Sequence, residues 1–212
     1  MSVKKIFWEN PYLTKLEAKV TSVNGNVITL DETIAFAFSG GQQSDSGTIG
    51  GFNIIKAQKE GKEIFYTIED THNLVQDQPV RIEIDWEKRY RLMKLHFAAE
   101  IILELVYQNY GHPEKIGANI TTDKARVDFL WNGKISEIFP ELLEKANHII
   151  NSDMDIVSAF ENVETEKRYW YIEGFAKVPC GGTHPKRTGE IGPIFLKRNN
   201  LGKGKERIEV YI

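Results

Sequence analysis

"DWEKRYRLMKLHFAAEIILELVYQNYG", residues 85–111, is where the chain passes from one kind of secondary structure to another. Asp85 offers the short acceptor side chain favoured at a helix N-cap. After it the apolar residues Met93, Phe97, Ile101 and Leu105 recur at helical spacing, and Gly111 is a suitable stop. The spacing predicts a helix from Trp86 to about Gln108.

Upstream of Asp85 the period is two. "EAKVTSVNGNVITLDET", residues 17–33, alternates polar and apolar side chains around Asn24-Gly25, a dipeptide suited to a type I′ hairpin turn. "GFNIIKAQKEGKEIFYTIED" repeats the pattern around Gly61, and "QPVRIEIDW" adds a strand through Val80, Ile82 and Ile84. Several short strands at regular spacing predict a small barrel or sandwich. Between them "FSGGQQSDSGTIGG", residues 38–51, is read as a loop.

Downstream, "ISEIFPELLEKANHIIN", residues 135–151, places Ile135, Ile138, Phe139, Leu142, Leu143, Ala146, Ile149 and Ile150 on one helical stripe. Strands return in "RYWYIEGFAKV", "IGPIFLKR" and "RIEVYI". The expected organisation is a β-barrel-like subdomain with a glycine-rich loop over 1–85, then an α+β domain over 86–212 with antiparallel sheet and helices.

Composition narrows the context. With 41% hydrophobic and 27% charged residues the chain has the balance of a soluble globular protein. A formal charge of −3 leaves any nucleic-acid partner to be met by a local patch. One cysteine cannot form an internal disulfide, and neither a signal-peptide core nor a membrane-length apolar run is visible, so a cytoplasmic location is expected.

That single cysteine lies in "KVPCGGTHPKRTGEIG", residues 177–192. Cys180 and His184 are separated by Gly181, Gly182 and Thr183, and the two glycines permit a turn that aims both side chains at one point. Thiolate and imidazole are preferred zinc ligands. His96 and Glu100, at i and i+4 on the long helix, offer a second pair. Cys180 could instead be a buried hydrophobe, or a nucleophile with a neighbouring histidine as base.

The same segment, "CGGTHPKRTGEIGPI", resembles the Cys-Gly-Gly-Thr-His segment of the alanyl-tRNA editing proteins, in both the editing domain of alanyl-tRNA synthetase and the free-standing AlaX type. "FSGGQQSDSG" resembles the family's Gly-Gly-Gln loop, "LHFAAEIILELV" its His-x-x-x-His helix, "TTDKARVDF" the segment ending in Asp-Phe, "ELLEKANHIIN" the helix that follows and "RIEVYI" the closing strand. The resemblance implies a metal-dependent esterase acting in trans on mischarged alanine tRNA, cleaving its seryl or glycyl ester without ATP. It also implies zinc held by His96, Cys180 and His184, with Glu100 where the family has its second histidine, as fourth ligand or general base.

Gly40, Gly41 and Gln42 would then lie near the aminoacylated 3′ end, with Gln42 offering its carboxamide to a ribose hydroxyl or adenine edge. Phe97, Thr183, Lys186 and Arg187 would complete the substrate and tRNA contacts. The basic C-terminal residues Lys186, Arg187, Lys197, Arg198, Lys203, Lys205 and Arg207 would face phosphates if they share a surface. The helix departs from the family's His-Thr-Ala-Thr-His in reading His96-Phe97-Ala98-Ala99-Glu100, which removes two hydroxyls and an imidazole. Two other readings fit the same fold: a tRNA- or protein-binding module without catalysis, and a threonyl-type editing domain.

Overall fold

A computed structural model describes residues 2–212. The chain forms two compact units: one runs to Ser39 and again from Gln43 to Tyr90, the other takes Gly40–Gln42 and Arg91–Ile212. The division therefore falls inside the long helix rather than at 85/86, and three residues of the glycine loop belong with the second unit.

In the first unit six strands close into a barrel, in the ring order Lys15–Asn24, Val27–Leu30, Glu63–Ile68, Phe52–Glu60, Gly47–Ile49 and Pro79–Ile84. All the pairings around the ring are antiparallel. Val20, Ile28, Ile49, Ile64, Tyr66, Ile68 and Ile82 fill its interior. Two local expectations change. Strand Gly47–Ile49 lies inside the stretch read as loop, because Thr48 and Ile49 have ladder partners that only the fold supplies. The first hairpin pairs Asn24 with Val27, so its two loop residues are Gly25 and Asn26. Only Gly25 of these has positive φ, the arrangement of a type II′ rather than a type I′ turn.

A buried ion pair braces this unit. Arg89 is fully buried, and its Nε donates to Asp45 Oδ1 at 2.9 Å while Nη2 donates to Asp45 Oδ2. The remaining donors reach Pro11 O at 2.8 Å and Ile34 O at 2.6 Å, and Asp45 Oδ2 accepts from Phe36 N at 2.6 Å. Asp45 thus ties the start of the long helix to the segments around Pro11 and Ile34–Phe36.

A one-turn helix α1 covers Ile6–Glu9, and the long helix α2 covers Trp86–Asn109. Asp85 caps it, accepting from Lys88 N at 3.1 Å. The residues expected on one stripe are joined by Leu92, Leu95, Ala98, Ile102, Leu103 and Val106, all buried, so in the second unit the helix is enclosed on most sides. A four-stranded antiparallel sheet runs Phe195–Gly202, Lys205–Tyr211, Ala125–Leu130, Lys115–Ile120. A three-stranded one runs Val157–Asn162, Lys167–Ile172, Ala176–Pro179. The second helical stretch divides into a 3₁₀ turn, Ile135–Ile138, and helix α3, Phe139–Asn151, with Pro140 in its first turn. Leu142, Ala146, Ile149 and Ile150 of α3 join the core around α2.

Replacing Arg89 by leucine leaves the Asp45 carboxylate buried without its partner. The expected loss of unfolding free energy is about 3–5 kcal/mol, read from the shift of a urea transition at unchanged slope.

Candidate metal centre

Three segments of the second unit bring polar atoms to one point. Helix α2 supplies His96 and Glu100, the turn after strand Ala176–Pro179 supplies Cys180 and His184, and Gly40–Gln42 supplies a carboxamide. One donor atom each from His96, Cys180 and His184 lies within 4.8 Å of the other two. Cys180 Sγ is 3.6 Å from His96 Nε2 and 3.3 Å from His184 Nε2. Both imidazoles are buried and the sulfur is half-buried.

The far sides of the rings are held. Gln42 Oε1 lies 2.8 Å from His96 Nδ1 and also accepts from Thr183 N at 3.2 Å. A carboxamide oxygen only accepts, so His96 donates through Nδ1, which leaves Nε2 as the ring atom facing the sulfur. The orientation of Gln42 follows from its other end, where Nε2 donates to Thr183 Oγ1 at 2.8 Å. His184 Nδ1 is 2.9 Å from Ser158 Oγ, which leaves its Nε2 facing the same point. Phe97 and His96 pack against the His184 ring, with centroids at 5.3 Å and 5.1 Å.

Glu100 stands beside this cluster. Its Oε1 is 3.4 Å from His96 Nε2 and 4.0 Å from Cys180 Sγ. The charges are strongly coupled. Burial alone lowers the His96 pKa, but the adjacent Cys180 and Glu100 outweigh it and raise the value to about 10. Burial, then the neighbouring His96 and Arg168 charges, push His184 well below the ordinary imidazole range. Burial raises the Glu100 pKa, yet contacts with His96 and Trp170 hold it below the usual carboxylate value. Arg168 is buried nearby, donates to Gly182 O at 3.4 Å, and has its pKa lowered to about 10 mainly by burial.

Two glycines make the convergence sterically feasible. Gly41 has φ +87°, and a Cβ there would lie 2.7 Å from Ala118 O. That close approach lets Gly41 O accept from Ile120 N at 2.8 Å, docking the loop on a sheet edge. At Gly182 a Cβ would stand 2.0 Å from His96 Cε1 and 2.5 Å from its Nδ1.

The donor set suits a zinc-type ion: two imidazole nitrogens and a thiol sulfur converge, each imidazole being oriented from behind. The structure brings His96, Cys180 and His184 within 4.8 Å of one another and sets Glu100 beside them. Five expectations are corrected. Gln42 is fully buried and its carboxamide is occupied by His96 and Thr183, so it orients a donor and does not reach a ribose or adenine. Thr183 is buried in the same network. Phe97 is fully buried against Trp170 and His184 and supports the latter ring instead of contacting substrate. Arg187 is engaged by Asp153 and Asp155 at 2.8 and 2.7 Å, which neutralises it. Arg198 and Arg207 are likewise taken by Glu206 and Asp128, so the C-terminal basic run is not a uniform phosphate-facing surface. Lys186 remains exposed.

Residues 169–209 match the family model described as the threonyl and alanyl tRNA synthetase second additional domain. The chain is 28% identical to the alanyl-tRNA editing protein AlaX-M of Pyrococcus horikoshii, over 99% of this chain and 97% of that protein. It is 33% identical to the alanine–tRNA ligase of Methanococcus aeolicus and 30% identical to that of Pyrococcus abyssi, over 96% and 97% of this chain. It spans 25% of the length of each ligase.

A methyl group at position 182 must displace the His96 ring. Gly182→Ala is therefore expected to weaken zinc uptake at least about tenfold, with an unchanged far-ultraviolet circular dichroism spectrum. A chelator-competition titration measures it.

Proposed function

We infer that this chain is an editing protein of the alanyl-tRNA type, a trans-acting deacylase of mischarged alanine tRNA. The reading rests on one observation above the others: the His96, Cys180 and His184 donors converge in a chain similar from end to end to an editing protein. Its substrate is the ester joining serine or glycine to the terminal ribose, and its setting is translation in the cytoplasm. No described helix is long and apolar enough to cross a membrane.

His96, Cys180 and His184 would hold a zinc-type ion, which would supply Lewis-acid polarisation of the ester carbonyl. The chain's own groups keep the donors in place. Gln42 fixes His96 through Nδ1, and Ser158 does the same for His184. Thr183, Gly40 and Gly41 act through Gln42: the hydroxyl and amide of Thr183 hold its carboxamide, and the two glycines let its loop approach the sheet.

In the overall reaction water adds to the ester carbonyl carbon and the bond to the ribose oxygen breaks. That oxygen takes up a proton, leaving free amino acid and a tRNA with its terminal hydroxyl restored. The ester is already activated, so no ATP is consumed. Glu100 Oε1 borders the cluster, where a carboxylate serves either as a further donor or as base toward the attacking water. Lys186 and the exposed Lys197, Lys203 and Lys205 supply the positive charge near the acceptor end. Phe97 and Ala99 carry no hydroxyl, so positions 97 and 99 offer serine no hydrogen bond that glycine lacks.

Deacylation of seryl-, glycyl- and alanyl-tRNA by the purified chain tests this. Hydrolysis of the seryl and glycyl esters is expected, abolished by chelator, restored by zinc, and lost in Cys180→Ala. A thiol hydrolase would keep working in chelator, and a binding module would cleave none of the three. Release of threonine-tRNA esters in preference to alanine-tRNA ones would favour the threonyl-type reading.

A further inference from the structure

The second oxygen of Glu100 has a partner of its own. Trp170 Nε1 donates to Glu100 Oε2 at 3.0 Å, while Oε1 faces His96 Nε2 and Cys180 Sγ. Trp170 is fully buried in the middle strand of the three-stranded sheet. There it stands directly opposite Ser158, whose hydroxyl meets His184. Opposed residues on neighbouring antiparallel strands project from one face. One cross-strand pair thus holds groups from both sides of the cluster, the His184 ring through Ser158 and the Glu100 carboxylate through Trp170.

We propose that Trp170 is a positioning residue that makes Glu100 a monodentate fourth donor to the ion held by His96, Cys180 and His184. The inference rests on the metal reading above and deepens it. An indole N–H is a donor only, and burying it without an acceptor forfeits the hydrogen bond it would keep in water. The bond therefore restrains both partners. If the carboxylate swings away it strands the indole N–H in the core, and if it turns to present both oxygens it breaks the same bond. What remains is one orientation, with Oε1 toward the cluster. The ring itself is fixed by edge contact with Phe97 at 5.1 Å and stacking on Phe175 at 6.2 Å. An imidazole at position 100 would carry its own ring N–H and would not need this acceptor-side clamp, so glutamate at 100 and tryptophan at 170 form a matched pair.

A double-mutant cycle on the full chain tests it, with Trp170→Phe keeping a ring in the core and removing the N–H. Cobalt(II) is the probe: its visible absorption reports coordination number, and chelator competition gives affinity. Trp170→Phe is expected to weaken cobalt binding about 10–100-fold and to reduce the intensity of the four-coordinate bands. In a Glu100→Ala background the same change is expected to alter affinity by no more than about twofold. Equal losses in both backgrounds, or no loss in either, overturn the proposal.

Should Trp170→Phe fail to fold, the wild-type fold still decides the matter. In chain labelled with ¹⁵N-tryptophan, the Trp170 indole proton is expected to exchange with solvent faster in Glu100→Ala than in wild type. Identical exchange overturns the proposal. A wild-type chain that takes up no cobalt overturns the metal reading and this one with it, whereas tight uptake with an additive cycle overturns only this one.

Discussion

The carboxamide of Gln42 is held by a backbone amide and a hydroxyl of Thr183, and its oxygen receives the Nδ1 hydrogen of His96. Three segments remote in sequence meet on that one group: a glycine loop, the long helix and the turn after Pro179. Each such bond contributes only about 1 kcal/mol net, but each is buried, so losing the amide would strand a ring N–H and a backbone N–H without acceptors. The orientation of His96, and with it the direction in which Nε2 faces, depends on this brace. Gly41 and Gly182 matter because they let the three segments come close enough to share it.

The two units handle buried polarity differently, and the contrast separates scaffold from chemistry. In the barrel unit, Arg89 donors and Asp45 acceptors are matched with one another and with nearby backbone groups, which is what a brace requires. Around Cys180 the balance is lopsided. Two imidazole nitrogens and a sulfur face one another, and a carboxylate oxygen borders them. Such an accumulation of donors to a cation is costly to keep in a protein interior unless positive charge is brought to it.

Much of this was legible before folding. The helix over residues 86–109 follows from its cap and spacing, and the Cys180–His184 turn follows from a glycine pair between two soft ligands. What could not be read is what tertiary contact decides. Strand Gly47–Ile49 lies in a glycine-rich stretch whose partners are elsewhere in the barrel. Strand Val157–Asn162 is short and partly polar, so no alternation announced that Ser158 would meet His184. Gln42 was marked for the right neighbourhood and the wrong task, because a carboxamide in a glycine loop looks the same whether it faces solvent or a buried ring. Phe97 misled in the same way: adjacency to His96 along a helix puts the next side chain about 100° away, into the core. Trp170 is a fully buried core aromatic, and only its indole nitrogen reveals the rest.

The vacancy beside Gly182, where the His96 ring occupies the volume that any Cβ would need, also bears on inheritance. Every single-nucleotide change that alters a glycine codon introduces either a side chain with a Cβ or a stop. Position 182 therefore has no neutral neighbours in the genetic code, and drift there must disturb the histidine before it can sample anything else. Two residues away, Cys180 is only half-buried, so what the site asks of that position is the chemistry of its sulfur, whereas at position 182 it asks for the absence of a side chain.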